Sequence, residues 1–275
     1  SDVYKRQQNG QELLTETGDV YGDLAIEYLN AIDGVGREDL FYGYNGDDIP
    51  TPETERSYMI KWLELAKENG KKVLVIDYCT TKAFIDSSYA KNFGKGYISF
   101  ATKKELDVIP EYPEKPYNVN DSDITNLMKA KNFLYLINPA RFTNKEEYLN
   151  ALRATRYDLL IIDLFFNEEI LTKEDVSSLR EKANGGKRLV IAYMSIGEAE
   201  DYRYYWQEDW KPGHPDFIAE ENPEWKGNYK VKYWDKDWQK IIYGNDDSYL
   251  KKILDAGFDG VYLDIIDAFE YFENK

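Results

Sequence analysis

Leu159-Leu-Ile-Ile-Asp163 is four apolar residues in a row closed by an acid. Nothing polar alternates with them, so neither face of the segment is suited to water. A strand of this kind is buried on both sides, as in parallel sheets. Residues 73–77 (Val-Leu-Val-Ile-Asp), 133–138, 189–193 and 261–264 read the same way, and 31–41 and 96–101 more weakly. Helical patterns lie between them. Residues 53–69 carry Met59, Ile60, Trp62, Leu63, Leu65 and Ala66 and stop at Gly70. Residues 172–183 open on Thr-Lys-Glu-Asp and close at Asn184-Gly-Gly186, and 246–256 end at Gly257. Strand and helix in alternation predict βα units with right-handed crossovers. The expected fold class is α/β, a (β/α)8 TIM-barrel-like domain, an ordinary size for 275 residues.

A partial repeat supports this. Asn69-Gly-Lys-Lys-Val-Leu-Val-Ile-Asp-Tyr78 matches Asn184-Gly-Gly-Lys-Arg-Leu-Val-Ile-Ala-Tyr193, each a helix stop, a turn and a buried strand. Residues 109–123 hold Pro110, Pro113 and Pro116 among polar residues, a linker by composition. The chain thus divides into residues 1–110, a linker at 111–129, and residues 130–275. Half-barrels have open edges, so the two parts are expected to close on one another as one domain.

The net charge of −16 disfavours nucleic acid as a partner and suits a neutral or cationic ligand. The single cysteine, Cys79, excludes an internal disulfide, and the single histidine, His214, leaves little room for a His-based zinc site or a Ser-His-Asp triad. No apolar run is long enough to span a membrane. The opening residues carry no signal-peptide pattern, and they read poorly as the start of a domain, so an upstream segment is expected to be missing.

Chemistry must therefore come from other side chains, and the strand ends supply them. Asp77, Asp163, Glu198, the pair Glu38 and Asp39, and the pair Asp264 and Asp267 all follow apolar runs. A carboxylate there is costly unless it meets solvent or a partner, and in α/β barrels the strand C-termini form the active site. A carboxylate ring with almost no His or Cys leaves two chemistries, oxygen-ligand metal binding and glycoside hydrolysis by an acid pair. The aromatics favour the second. Residues 199–245 read as an insertion with Tyr202, Tyr204, Tyr205, Trp206, Trp210, Trp225, Tyr229, Tyr233, Trp234 and Trp238. About two thirds are expected to fill a core, leaving a few on which sugar rings can stack.

Tyr193-Met-Ser-Ile-Gly-Glu-Ala-Glu-Asp-Tyr-Arg-Tyr-Tyr-Trp206, Glu221-Asn-Pro-Glu-Trp-Lys-Gly-Asn-Tyr229 and Gly257-Phe-Asp-Gly-Val-Tyr-Leu-Asp-Ile-Ile-Asp267 resemble glycoside hydrolase family 114. This family comprises endo-α-1,4-polygalactosaminidase-like TIM barrels, and the likeness covers roughly residues 130–275. The first part resembles the same family out of order: residues 8–14, 32–42, 72–79 and 96–106 look like its strands five to eight. Residues 133–139, 157–165, 188–198 and 260–267 then look like strands one to four. The resemblance implies a permuted or tandem-fragment order, strands 5–8 then 1–4, with one connecting helix missing.

It also implies roles. Asp264 matches the family's acid at the fourth strand end and Glu38 the one at the sixth, as nucleophile and acid/base respectively, with Glu38 raised in pKa beside an ionised Asp264. Asp163, Glu198, Asp77 and Asp267 would line the sugar subsite, with Tyr193, Asn9 and Arg203 as neighbours. No metal and no cofactor is implied. The expected activity is endo-acting cleavage of an α-linked amino-sugar polymer, a polysaccharide partner found outside the cell or in its envelope. The alternative is a non-catalytic carbohydrate-binding barrel or an inactive fragment.

Overall fold

The computed structural model describes residues 4–273, so the expectations for the first three residues lie outside the described part. Its centre is one sheet of eight parallel strands: β1 (Tyr4–Gln8), β2 (Gly34–Glu38), β3 (Lys72–Tyr78), β4 (Ile98–Thr102), β5 (Leu134–Leu136), β6 (Leu159–Ile162), β7 (Leu189–Ser195) and β8 (Gly260–Asp264). They pair in the order β4-β3-β2-β1-β8-β7-β6-β5. Strands from both sides of the proline-containing stretch thus share one sheet, joined where Tyr4–Gln7 runs in register with Gly260–Leu263. Among the described residues no ladder joins the outer strands β4 and β5. The two edges approach all the same, for Phe100 of β4 lies 5.9 Å from Phe133, just before β5, and 6.1 Å from Tyr157, before β6, ring centre to ring centre. The backbone N–H of Asn138 also donates to the Leu106 carbonyl at 3.2 Å.

Among the described residues eight α-helices accompany the strands: α1 (Ile26–Ala31), α2 (Glu53–Glu68), α3 (Lys82–Gly94), α4 (Lys145–Arg153), α5 (Lys173–Ser178), α6 (Lys236–Ile242), α7 (Tyr249–Asp255) and α8 (Ala268–Glu273). Helix α2 shows why the sequence folds this way. Met59, Trp62, Leu63 and Ala66 recur at helical spacing and are buried, each large side chain contributing about 1.5–3 kcal/mol. Glu53 and Glu55 sit in the positive first turn. Gly70 takes φ 74° and the Lys71 N–H returns to Ala66, a left-handed C-terminal stop.

Two helices are shorter than their sequence patterns. Helix α5 begins with a Thr172–Asp175 capping box but ends at Ser178 instead of Ala183. Lys182 is buried and donates to Asp158, 3.0 Å, and to the carbonyls of Asn120 and Ser122, and these bonds hold residues 179–187 in turns. Helix α7 starts only at Tyr249, because Ser248 is its N-cap.

The proline-containing stretch is fastened at both ends. Tyr117 stacks on Tyr89 of α3 at 5.0 Å, and Ile124 N–H donates to Lys187. On the outer side of the β8–β1 seam lies a cavity of about 750 Å³, bordered by Leu13, Tyr28, Ile32, Ile266 and Phe269. The six-residue α8 stands beside it.

Strand alternation sorts side chains into two faces. Leu74, Ile76 and Tyr78 of β3 join the apolar cluster that contains Phe100, Tyr135, Tyr193 and Tyr262. Val73 and Val75 join Trp62, Leu63 and Tyr89 beneath the helices. Gly36 is required on the inner face of β2: a Cβ there would meet the Tyr262 hydroxyl at 1.9 Å.

Candidate active site

Period-two alternation puts Tyr262 and Asp264 of β8 on one face and Gly36 and Glu38 of β2 on one face. Because Tyr262 reaches Gly36, these faces look at one another, with β1 between. Asp264 and Glu38 therefore end up in a single group, both half-buried. Tyr193 of β7 donates to Asp264 Oδ2 at 2.6 Å. Tyr78 of β3 donates to Glu38 Oε1. Tyr135 of β5 lies buried within electrostatic reach of both acids. Burial, and then the charge of Glu38, push the Asp264 carboxyl up to about 8. Asp39 rises to about 7 through burial and the charges of Glu38 and Asp77.

The backbone marks the same place. The residues directly after β1, β2 and β8 are Asn9, Asp39 and Ile265, with φ of 56°, 59° and 56°. A β-branched isoleucine in the left-handed region is strained, and such strain concentrates at functional sites. Three adjacent strand ends turn this way at once. The turn at Asn9 sets its N–H on the Gly36 carbonyl, 3.0 Å, and its Oδ1 at 3.5 Å from the Glu38 N–H.

The other expected acids fall into four places. Asp267 is half-buried beside the pair, its carboxyl raised by burial and within reach of Arg37 and Glu12. Asp163 and Arg203 face each other in a buried bidentate ion pair, 2.9 and 2.7 Å, and Arg203 also binds Glu200 at 2.5 Å. That triad pins the insertion to the strand ends and engages Asp163 and Glu200 with the one guanidinium. Glu198 is buried in a three-stranded side sheet, held by Asn222 at 2.8 Å with Lys230 at 3.9 Å. Burial raises its carboxyl.

Asp77 is not brought to the pair at all. It points to the outer face, where it accepts from Ser88 (2.6 Å), Asn92 (3.0 Å) and the N–H groups of Phe41 (2.8 Å) and Tyr42 (3.3 Å). It is fully buried and ties α3 to the turn after β2. Asp77→Ala is expected to strand these donors and to cost about 3 kcal/mol or more. The check is thermal unfolding, where Tm should fall by at least about 6 °C.

Tyr78, Tyr135 and Glu200 escape the sequence reading. For Tyr78 a signal existed: neighbouring side chains on a strand face opposite ways, so Asp77 and Tyr78 do not share a face. Among the described residues, no three His, Cys, Asp or Glu side chains are grouped to hold a metal ion, and no helix is long and apolar enough to cross a membrane. Of the ten insertion aromatics, Tyr205 and Trp238 are buried, and Tyr202, Tyr204, Trp225, Tyr233 and Trp234 are exposed. This is a larger exposed share than the third expected.

A parallel α/β sheet whose strand ends unite two acids, one of them holding its proton into the neutral range, is equipped for acid–base work on a polar substrate. The chain belongs to glycoside-hydrolase family GH114, which matches it over residues 120–275. It is 40% identical over 152 residues to an uncharacterized protein of Methanocaldococcus jannaschii, a match covering 55% of this chain and 42% of that one. An uncharacterized protein of Deinococcus radiodurans is 40% identical over 127 residues, 46% of this chain and 39% of the relative. One from Thermotoga maritima is 51% identical over 85 residues, 31% and 25% respectively. The chain thus spans less than half the length of each of these relatives.

Proposed function

We propose that this protein is a glycoside hydrolase that cleaves an α-linked amino-sugar polymer internally, with Asp264 and Glu38 as the catalytic pair. The observation that carries the reading is the joining of these two acids, from β8 and β2, in one tyrosine-lined group. Glycosidic cleavage asks one acid to protonate the leaving oxygen while the other, ionised, stabilises or attacks the sugar centre. Without a cationic ligand, burial and the charge of Glu38 keep the proton on Asp264. A cationic sugar, or the positive centre that develops during cleavage, favours the ionised form of Asp264. Glu38 is then the acid for the leaving oxygen.

The net charge of −16 and the half-buried Asp267 favour a substrate bearing free amines. Trp225, half exposed with the Lys104 ammonium 5.7 Å from its ring centre, offers a face for a sugar ring. The paired strands β8 and β1 and the Phe100–Phe133 contact support one closed barrel formed by residues 1–110 and 130–275. The family match at residues 120–275, with four strands preceding it, supports a permuted order. Action on a polymer is most useful outside the cell or in its envelope, and we place the protein there. The test is release of reducing ends from poly-α-1,4-galactosamine, with an N-acetylated and a neutral α-glucan for comparison. Oligomers as early products support internal cleavage. Binding of the polymer without any cleavage refutes the enzyme reading in favour of a binding barrel.

A further inference from the structure

Each acid of the pair is held by a tyrosine from the strand next to its own, on the side away from β1. Tyr193 of β7 donates to Asp264 of β8, and Tyr78 of β3 donates to Glu38 of β2. The two contacts are separate: neither phenol bonds to the other's acid. Both tyrosines are buried, and burial is the first cause that lifts their own hydroxyls well above the usual phenol range. Each therefore stays a neutral donor wherever a carboxylate titrates. A donor that never ionises favours the charged form of the acid it touches and leaves one oxygen of that acid for other partners.

We propose that Tyr78 and Tyr193 are positioning residues that orient Glu38 and Asp264 and tune them independently of each other. This rests on the acid-pair reading above, which supplies the reason for tuning. Among the described side chains, Tyr78 on β3, Asp39 in the turn after its own strand, Asp264 on β8 and Tyr135 on β5 stand around Glu38. Around Asp264 stand Tyr193 on β7, Glu38 on β2, Asp267 in its own loop, and Tyr78 and Tyr135 across the sheet. Each phenol donates to one acid of the pair and not to the other, and Asp264 accepts in addition from the Ile265 N–H. Removing one hydroxyl therefore acts on one acid first, while the mutual repulsion of the pair persists.

The test uses Tyr78→Phe and Tyr193→Phe, which keep the ring and remove only the hydroxyl. Site-resolved 13C NMR titration of the side-chain carboxyls reads the effect without reference to activity. In Tyr78→Phe the Glu38 midpoint should rise by about one pH unit, and in Tyr193→Phe the Asp264 midpoint should do so. The other acid should move less than half as far. In the pH profile of kcat/KM, the two variants should then displace different limbs, with kcat falling more than KM changes. Equal movement of both acids in either variant, or no movement in both, overturns the proposal even if Glu38→Gln abolishes cleavage. If the midpoints move as stated while Glu38→Gln and Asp264→Asn cleave normally, the tuning stands and the hydrolase reading falls.

Discussion

Glu38→Gln is expected to lower kcat on poly-α-1,4-galactosamine by about 10²–10⁴-fold with KM changed only a few-fold, because a positioned proton donor acts mainly in the transition state. The amide keeps the shape of the side chain and still accepts from Tyr78, so the loss reports chemistry and not packing. Asp264→Asn should lose at least as much, since it removes the carboxylate that faces the developing positive charge. The double variant should be little worse than the poorer single one, because members of a catalytic unit do not add. Steady-state kinetics of the four proteins checks this. Retention of more than a tenth of kcat in either single variant would exclude that residue from the chemistry.

The second expectation concerns alkaline pH. Asp264 is raised to about 8 in the folded protein by burial and the charge of Glu38, against about 3.9 in an unfolded chain. Between those values the folded state holds a proton that the unfolded state has lost. Stability from this group is therefore fully present below about pH 4 and declines as pH rises through about 8. Above that, two half-buried carboxylates repel. Asp264→Asn removes the repulsion and should unfold later than the parent at pH 9, by about 1–2 kcal/mol or about 2–8 °C. The difference should vanish near pH 4. Asp39, raised to about 7, pushes the parent the same way, so the comparison of parent and variant isolates Asp264. Activity should fall over the same range as the pair loses its last proton. Calorimetry at the two pH values checks the stability claim. A variant less stable than the parent at pH 9 would show that Asp264 is held by favourable contacts and not under strain.

Much of the architecture is local and was legible for that reason. A run such as Val73-Leu-Val-Ile needs apolar surroundings on both sides, and Met59, Trp62, Leu63 and Ala66 need one apolar side, whatever the rest of the chain does. Those demands define strands, helices and a parallel sheet. Helix ends were less legible, because Lys182 is drawn out of the α5 pattern by Asp158, 24 residues earlier in the chain.

The site divides in the same way. The sequence alone determined that acids cluster after apolar runs, and the motifs around Asp264 and Glu38 singled out that pair by family likeness. It also indicated an aromatic-rich insertion. Only the tertiary structure decided which acids meet. Asp77 and Asp163 end their runs just as Asp264 does. Yet Asp77 turns outward to four donors under α3, and Asp163 is neutralised by an arginine 40 residues away. A carboxylate's partners are set by strand pairing and by which face its position occupies. Those are relations between distant segments that no local pattern carries. The contact of Tyr262 with Gly36, which turns the strands of Asp264 and Glu38 toward each other, is of that kind.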